Sequence, residues 1–503
     1  MTRVVSEAVL EPEAVEQVLR PRRRVIDERP LGQGRYELER GPLSGYRRSV
    51  VLERLPDGRS HVTQTVEYRL SIPYFGWLFA PAVKRAVGGL GAGTGPEPWW
   101  APPDRLDARA AGVLGVLAAA SLVAGYLGTL ISQTITFAAR EFGSSEADEG
   151  IALASVRLSV LLALVLVASA DRRGRRRLLL LCAAAGIVMA ATGALAPSLP
   201  WLAVSQVGAR SFSIALSVLI GIMAAEEMPA GARAYAASVL ALAGALGAGA
   251  CVAALPIADV AEPAWRAVYV VPLLGLPLVA GIARQLRESR RFERGHRPAA
   301  MAGHGGRFWL LAASFFLVAV FASPASQFLN EFLRTERDWS ATRIALFTIA
   351  TNTPGGIGVV IGGRLADVRG RRVIGAIGLL GGTAATVLMF MSYGWPLWMW
   401  SVVGAVVGAA TIPALGVYGP ELFPTSLRGR ANGGITFLGV LGSSAGLLAA
   451  GFLADRVGGL GHAIPLLAVG PVAVAVLVLT LYPETAHLEL EELNPEDRPA
   501  TDT

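Results

Sequence analysis

From Ala111 onward the chain is a succession of apolar runs. Each is close to the roughly 20 residues needed to cross about 30 Å of hydrocarbon. Twelve such runs can be counted: 111–138, 150–169, 178–196, 200–225, 234–256, 266–285, 308–330, 342–362, 374–393, 396–419, 431–453 and 463–482. A backbone inside a bilayer must satisfy its own hydrogen bonds, so each run predicts a helix. Only 17% of residues are charged and 53% are hydrophobic, against about 25% charged in soluble proteins. The expectation is an all-α membrane protein with 12 transmembrane helices.

Residues 1–105 are different material, polar and rich in Pro and Arg. Tyr46–Ser71 predicts a β-hairpin, with Pro56-Asp57-Gly58 as the turn. Val62, Val66, Tyr68 and Leu70 alternate there with Thr63, Thr65, Glu67 and Arg69. The aromatic stretch IPYFGWLFAPAVKRAVGGL fits a short helix, lying either on the membrane surface or over one face of a small sheet. Residues 89–105 have linker composition. These features predict a small α+β extension ahead of the membrane region. The N-terminus shows no apolar core of signal-peptide length.

The net charge is +7, and Lys84 is the lone lysine, so the basicity is nearly all arginine. The arginines cluster after the second, sixth and eighth runs, while APSLP, LPIADVAEP and SYGWP hold none. The positive-inside rule then places the arginine-rich loops, both termini and the extension in the cytoplasm of a multi-pass plasma-membrane protein. Nucleic acid is not needed to explain the charge. Cys182 and Cys251 lie inside apolar runs and suggest no disulfide framework, zinc site or thiol nucleophile.

Two charged knots interrupt the apolar sequence at equivalent places. Asp171-x-x-Gly174-Arg175-Arg176 aligns with Asp367-x-x-Gly370-Arg371-Arg372, an offset of 196 (367 less 171). Glu226-Glu-Met-Pro229, followed by Arg233, aligns with Glu421-Leu-Phe-Pro424, followed by Arg428, an offset of 195 (421 less 226). Unrelated motifs sharing one offset predict two pseudo-symmetric six-helix bundles. Repeats of this kind build transporters with the substrate site between the halves. The expected boundaries are an extension over 1–105, bundles over 106–286 and 308–485, a central loop over 287–307 and a tail over 486–503.

The doubled G-x-x-x-D-[RK]-x-G-R-[RK] pattern resembles the signature of the major facilitator superfamily. The second copy starts at Gly363 and has Val368 at a usually basic position; the first has Val167 where the family has glycine. PELFPTSLRGR (Pro420–Arg430), PETAHLELEEL (Pro483–Leu493) and RESRRF (Arg287–Phe292) resemble the sugar-porter and organic-solute:proton symporter branch. The resemblance implies transport by alternating access, a monomer and no cofactor. It also implies that Asp171, Arg175, Glu226 and Arg233, with Asp367, Arg371, Glu421 and Arg428, form a charge network that latches the cytoplasmic side.

Arg210 lies nine residues in from Trp201, roughly 14 Å at about 1.5 Å per residue, near the middle of a bilayer. A charge at that depth is costly and usually functional. No acidic residue lies mid-span in any run to pair with it, which points to an anionic substrate, a water-filled cavity or a structural role. Tyr126, Thr129, Gln133, Gln327 and Asn352 are the other polar candidates for substrate contact. The sugar-porter G-Y-D appears as Gly125-Tyr126-Leu127, which counts against a sugar, and Glu141 and Glu331 are shallow substitutes for the missing carboxylate. The reading is a transporter of a small polar organic solute, an organic anion included, coupled to protons. Drug or metabolite efflux, and a membrane sensor signalling through the extension, are the alternatives. No nucleophile elbow, metal cluster or phosphate loop argues for an enzyme.

Overall fold

A computed structural model of the chain describes residues 1–90, 98, 100–144, 146–293 and 301–498. Parts of the expected linker, central loop and tail therefore lie outside the described residues. Two compact units are present, Met1–Leu117 and Ala118–Thr503.

In the first unit, strand β1 (Thr2–Leu10) is followed by helix α1 (Pro12–Leu19), β2 (Asp27–Gly32), β3 (Arg35–Arg40), β4 (Leu43–Arg54), β5 (Ser60–Leu70) and α2 (Gly76–Gly88). The strands form one sheet in the order β1-β5-β4-β3-β2. β4 and β5 make the hairpin expected from the alternation, with Val50 opposite Gln64 and Leu52 opposite Val62. Val62, Gln64, Val66 and Tyr68 face inward, and α2 covers that face with Val83 and Val87. The inner face also holds an ionic cluster. Arg48 pairs with Glu28 at 2.6 Å, and Arg22 donates to the Gln64 side chain at 2.9 Å, all of them buried. β1 and the charged strands β2 and β3 lie outside the sequence expectation; DERPLG and RYELER lack the apolar alternation that betrays β5.

Helix α3 (Ala108–Phe142) leads into the membrane region. The first half continues with α4 (Glu146–Arg157), α5 (Ser159–Arg173), α6 (Arg175–Thr192), α7 (Leu199–Glu227), α8 (Arg233–Ala253), α9 (Trp265–Val270) and α10 (Leu276–Gln285). After the short α11 (Arg290–Glu293), the second half holds α12 (Gly305–Gln327), α13 (Leu329–Thr335), α14 (Ala341–Asn352), α15 (Gly355–Arg369) and α16 (Arg371–Met391). It closes with α17 (Trp395–Ala409), α18 (Thr411–Gly416), α19 (Tyr418–Glu421), α20 (Arg428–Val457), α21 (Leu460–Leu466) and α22 (Val469–Thr480).

Among the described residues, 10 helical stretches are long and apolar enough to cross a membrane. The two other expected runs, 150–169 and 342–362, are each split. At Leu158 the bonding tightens to three-residue steps, Leu158 N–H to Ser155 and Leu161 N–H to Leu158; Gly356 to Thr353 and Ile357 to Pro354 repeat the pattern. Pro354 has no N–H to continue a regular helix. The breaks fall one repeat apart.

Close packing within each half depends on glycine. A Cβ at Gly247 of α8 would lie 1.9 Å from the Leu122 carbonyl oxygen of α3. In the other half, a Cβ at Gly442 of α20 would lie 2.4 Å from the Phe316 oxygen of α12. Those glycines are 195 residues apart (442 less 247), so each half uses the same device to bring two backbones together.

Candidate functional site

At the arginine-rich end, α5 and α6 meet at Gly174 (φ 92°), and α15 and α16 meet at Gly370 (φ 102°). A left-handed φ favours glycine, and a Cβ would also strike a carboxylate: Glu288 at 2.6 Å from Gly174, Glu484 at 2.7 Å from Gly370. Those carboxylates cap the helices that follow. Glu288 accepts from the backbone N–H of Arg175 (3.0 Å) and Arg176 (3.1 Å); Glu484 accepts from Arg371 (3.0 Å) and Arg372 (3.2 Å). Negative charge at a helix N-terminus is stabilising. Glu288 and Glu484 are again 196 apart (484 less 288).

The aspartates reach across to the other half. Asp171 accepts from Gly429 N–H (3.0 Å) and Arg430 N–H (3.1 Å), at the start of α20. Asp367 accepts from Ala234 N–H (3.2 Å) and Tyr235 N–H (2.8 Å), at the start of α8. Each aspartate also pairs with the arginine four residues on: Asp171 with Arg175 at 3.4 Å, Asp367 with Arg371 at 3.2 Å. Arg175 contacts Glu226 at 3.4 Å, and Arg371 contacts Glu421. Glu226 then binds Arg428 at 2.8 Å, and Glu421 binds Arg233 at 3.3 Å, both across the halves. Arg175 and Arg371 further donate to the opposite half's carbonyls, Thr425 at 2.5 Å and Ala230 at 3.1 Å. The structure thus brings all eight of these sequence candidates into two buried four-residue networks at this end, Asp171–Arg175–Glu226–Arg428 and Asp367–Arg371–Glu421–Arg233, each crossing the halves and each of balanced charge.

Val167 has a structural counterpart beside these networks. In the second copy, a Cβ at Gly363 would strike Ser238 Oγ at 1.8 Å and the Ala234 oxygen at 2.7 Å. In the first copy the small residue sits on the facing helix: a Cβ at Gly429 would lie 2.4 Å from the Val167 oxygen. Gly429 is the repeat mate of Ala234 (429 less 195). Both contacts are close, and the glycine has changed sides.

The tail joins both networks and was not anticipated. Asp497 binds Arg428 at 2.8 Å and the Thr425 N–H at 2.8 Å, while Glu489 binds Arg233 at 3.2 Å. Glu489 and Glu491 both hold Arg291, at 3.0 and 2.9 Å. The tail therefore bonds to both halves.

A second polar region lies within the apolar runs. Arg210, near the middle of α7, is half-buried and donates to the Gly128 carbonyl of α3. Its neighbouring charge is Arg157, at the break between α4 and α5. Arg157 reaches the other half, donating to Gln327 Oε1 (3.1 Å) and Ser444 Oγ (3.4 Å). Gln327 in turn donates to Ser323 Oγ at 3.2 Å, and Ser323 shares a hydrogen bond with Ser443. Among the described residues, no carboxylate forms an ion pair with either arginine. Arg157 was missed in the sequence because it sits near the start of an apolar run, where an arginine reads as a loop charge.

The other candidates are placed differently. Tyr126 is buried and donates to the Val268 carbonyl at 2.9 Å, inside the first half. Thr129 donates to Gly125 of its own helix at 2.9 Å. Gln133 is half-buried on α3 and Asn352 is exposed at the end of α14; neither takes part in these bonds. Glu141 is engaged by Arg266 and, at 2.6 Å, by the Trp265 indole N–H, and Glu331 is exposed.

Residues 308–501 match the family model of the Major Facilitator Superfamily. The cis,cis-muconate transport protein of Acinetobacter baylyi is 29% identical over 152 residues, 29% of this chain and 35% of that protein, so the chain spans about a third of this relative in the match. The proton:xylose symporter XylE, bound to 6-bromo-6-deoxy-D-glucose, shares the fold with a TM-score of 0.64 at 18% identity, over 76% of this chain and 98% of its own. The human organic anion transporter TETRAN does so with a TM-score of 0.60 at 16% identity, over 73% and 98%. The transporter FucP in the outward conformation gives 0.59 at 13% identity, over 74% and 98%. The family model thus matches the second half of the chain, and the solved structures share its fold along nearly their full length.

Proposed function

We propose that the chain is a secondary transporter, not an enzyme, that moves a small organic anion across the plasma membrane by alternating access coupled to protons. The observation that carries this reading is the pair Arg157 and Arg210: two guanidinium groups within apolar runs, one bonded across the halves, with no carboxylate among the described residues paired to either. Two uncompensated cations there are costly. An anionic substrate entering between the halves offsets that cost, and a dicarboxylate matches it charge for charge. The muconate relative and the organic anion transporter support this substrate class, and the proton:xylose symporter supports proton coupling.

The split runs count as crossings, which gives twelve, with both termini and the first unit on the cytoplasmic side. The buried networks then close the cytoplasmic end, so the conformer faces outward. Substrate bound between Arg157 and Arg210 draws the halves together, and the cytoplasmic ion pairs part to release it.

Proteoliposomes with an imposed pH gradient test this reading. Uptake of labelled dicarboxylates is expected to exceed that of monocarboxylates and neutral sugars. Arg157→Ala and Arg210→Ala should each abolish it, and Arg210→Lys should keep a part. Normal uptake by both alanine variants would overturn the assignment.

A further inference from the structure

The two edges of the N-terminal sheet are built differently. β2 carries Pro30, and its register with β3 shifts at Asp27/Glu28 and again at Pro30/Gly32. Proline and bulges are the devices that stop an edge from pairing with another chain. β1, at the opposite edge, has none of them. It runs Thr2–Leu10 without proline, and its register with β5 is unbroken from Thr2–Tyr68 to Leu10–Ser60. Among the described residues no strand pairs with its other side. Its outward side chains Arg3, Val5, Glu7 and Val9 are all exposed, whereas Ser6 on the inner face is tied to the Gly88 carbonyl at 3.0 Å.

A nine-residue edge strand, in which every second residue leaves its N–H and C=O open, pairs readily with a similar strand. The outward sequence Arg3-x-Val5-x-Glu7 is self-complementary about Val5. An antiparallel two-fold partner centred there sets Arg3 opposite the partner's Glu7, Val5 opposite the partner's Val5, and Glu7 opposite the partner's Arg3. Opposite charges facing each other across a ladder are stabilising, and like charges are not. Moving the centre one residue either way sets both charges opposite uncharged side chains. We propose that β1 is a dimerisation strand, joining the N-terminal sheets of two copies of this chain into one ten-stranded sheet. The occupant is a second copy because the charge pattern of the strand is its own complement. This inference concerns assembly and stands apart from the transport reading.

Full-length protein in detergent provides the test, by light scattering with the detergent contribution subtracted. The expected mass is that of a dimer. Glu7→Arg should convert it to monomer, and Arg3→Glu combined with Glu7→Arg should restore the dimer. Arg3 lies 3.9 Å from Glu67 of its own sheet, so Glu7→Arg is the cleaner single change. Cys182 and Cys251 are buried, so introduced thiols can be followed alone. A short bis-maleimide should cross-link Val5→Cys into dimers and leave Val9→Cys largely unlinked. A monomeric parent, a dimer indifferent to Glu7→Arg, or equal cross-linking at both positions would overturn the proposal.

Discussion

Replacing Asp367 by Asn keeps the shape of the side chain and removes one charge from the contact between the halves. Asp367 accepts two N–H groups at the start of α8, at 3.2 and 2.8 Å, and one guanidinium bond from Arg371 at 3.2 Å. Arg371 retains Glu421, so the change leaves no buried arginine stranded. A hydrogen bond to a charged acceptor contributes about 1 kcal/mol more than a neutral one. Ala234 and Tyr235 donate to different oxygens of Asp367, so the amide keeps one of these bonds, weakened, and loses the other, because its NH2 cannot accept; the contact across the halves weakens by at least about 2 kcal/mol. At about 1.4 kcal/mol per tenfold, that shifts the balance toward the opened cytoplasmic end by roughly 30-fold. A conformer present at about 1% would rise to about a fifth of the population. Spin labels at Arg173→Cys and Arg369→Cys, both exposed and one in each half, read this as a new long component in a pulsed-resonance distance distribution. Asp171→Asn should act alike, since Asp171 holds Gly429 and Arg430 in the same manner. Unchanged distributions in both variants would refute the idea that these carboxylates hold the end shut.

Other expectations concern the frame. Gly370→Ala combines a φ of 102° with a Cβ 2.7 Å from Glu484, so it should cost about 1–3 kcal/mol and lower the thermal midpoint. Gly58→Ala, at φ 84° but with open space around it, should cost less. Gly247→Ala drives a methyl within 1.9 Å of the Leu122 oxygen and should sharply reduce the folded fraction in fluorescence size-exclusion profiles, whereas Gly249→Ala, with nothing nearby, should not. Arg48→Met strips Glu28 of its buried 2.6 Å partner. Breaking one side of a buried pair costs roughly 3–5 kcal/mol, seen as faster hydrogen exchange in β4 and β5 of the full chain.

The repeat was legible because two motifs of different composition share one spacing, and spacing survives substitution. A third pair, Glu288 and Glu484, carried the same offset but was read motif by motif against a family pattern, so its shared capping role emerged only from the geometry. The tail acids were unreadable for another reason. Glu489, Glu491 and Asp497 lie in a strongly acidic stretch, where charge alone does not say which residues turn inward. Polarity at mid-depth misled in one case: Tyr126 looks like a ligand contact, but its hydroxyl is used by the Val268 carbonyl. Depth predicts burial of a polar group, and only the fold shows which groups the protein has already satisfied. In the N-terminal unit the hairpin was readable from side chains alternating about a Pro-Asp-Gly turn. β2 and β3 were not, because their charged faces look like loop.

The helix caps at the two knots separate permanent bonds from renegotiable ones. Glu288 serves α6 from the exit segment of its own half, and Glu484 serves α16 from the exit segment of the other. Each six-helix unit can therefore finish its own turn before it meets its twin, the first while the second is still being synthesised. The aspartate bonds have no such independence, since their acceptors and donors belong to different units. In the proposed transport cycle, what is sealed once during biogenesis and what is broken at every turnover are thus assigned to different carboxylates, 117 residues apart in each half (288 less 171, and 484 less 367).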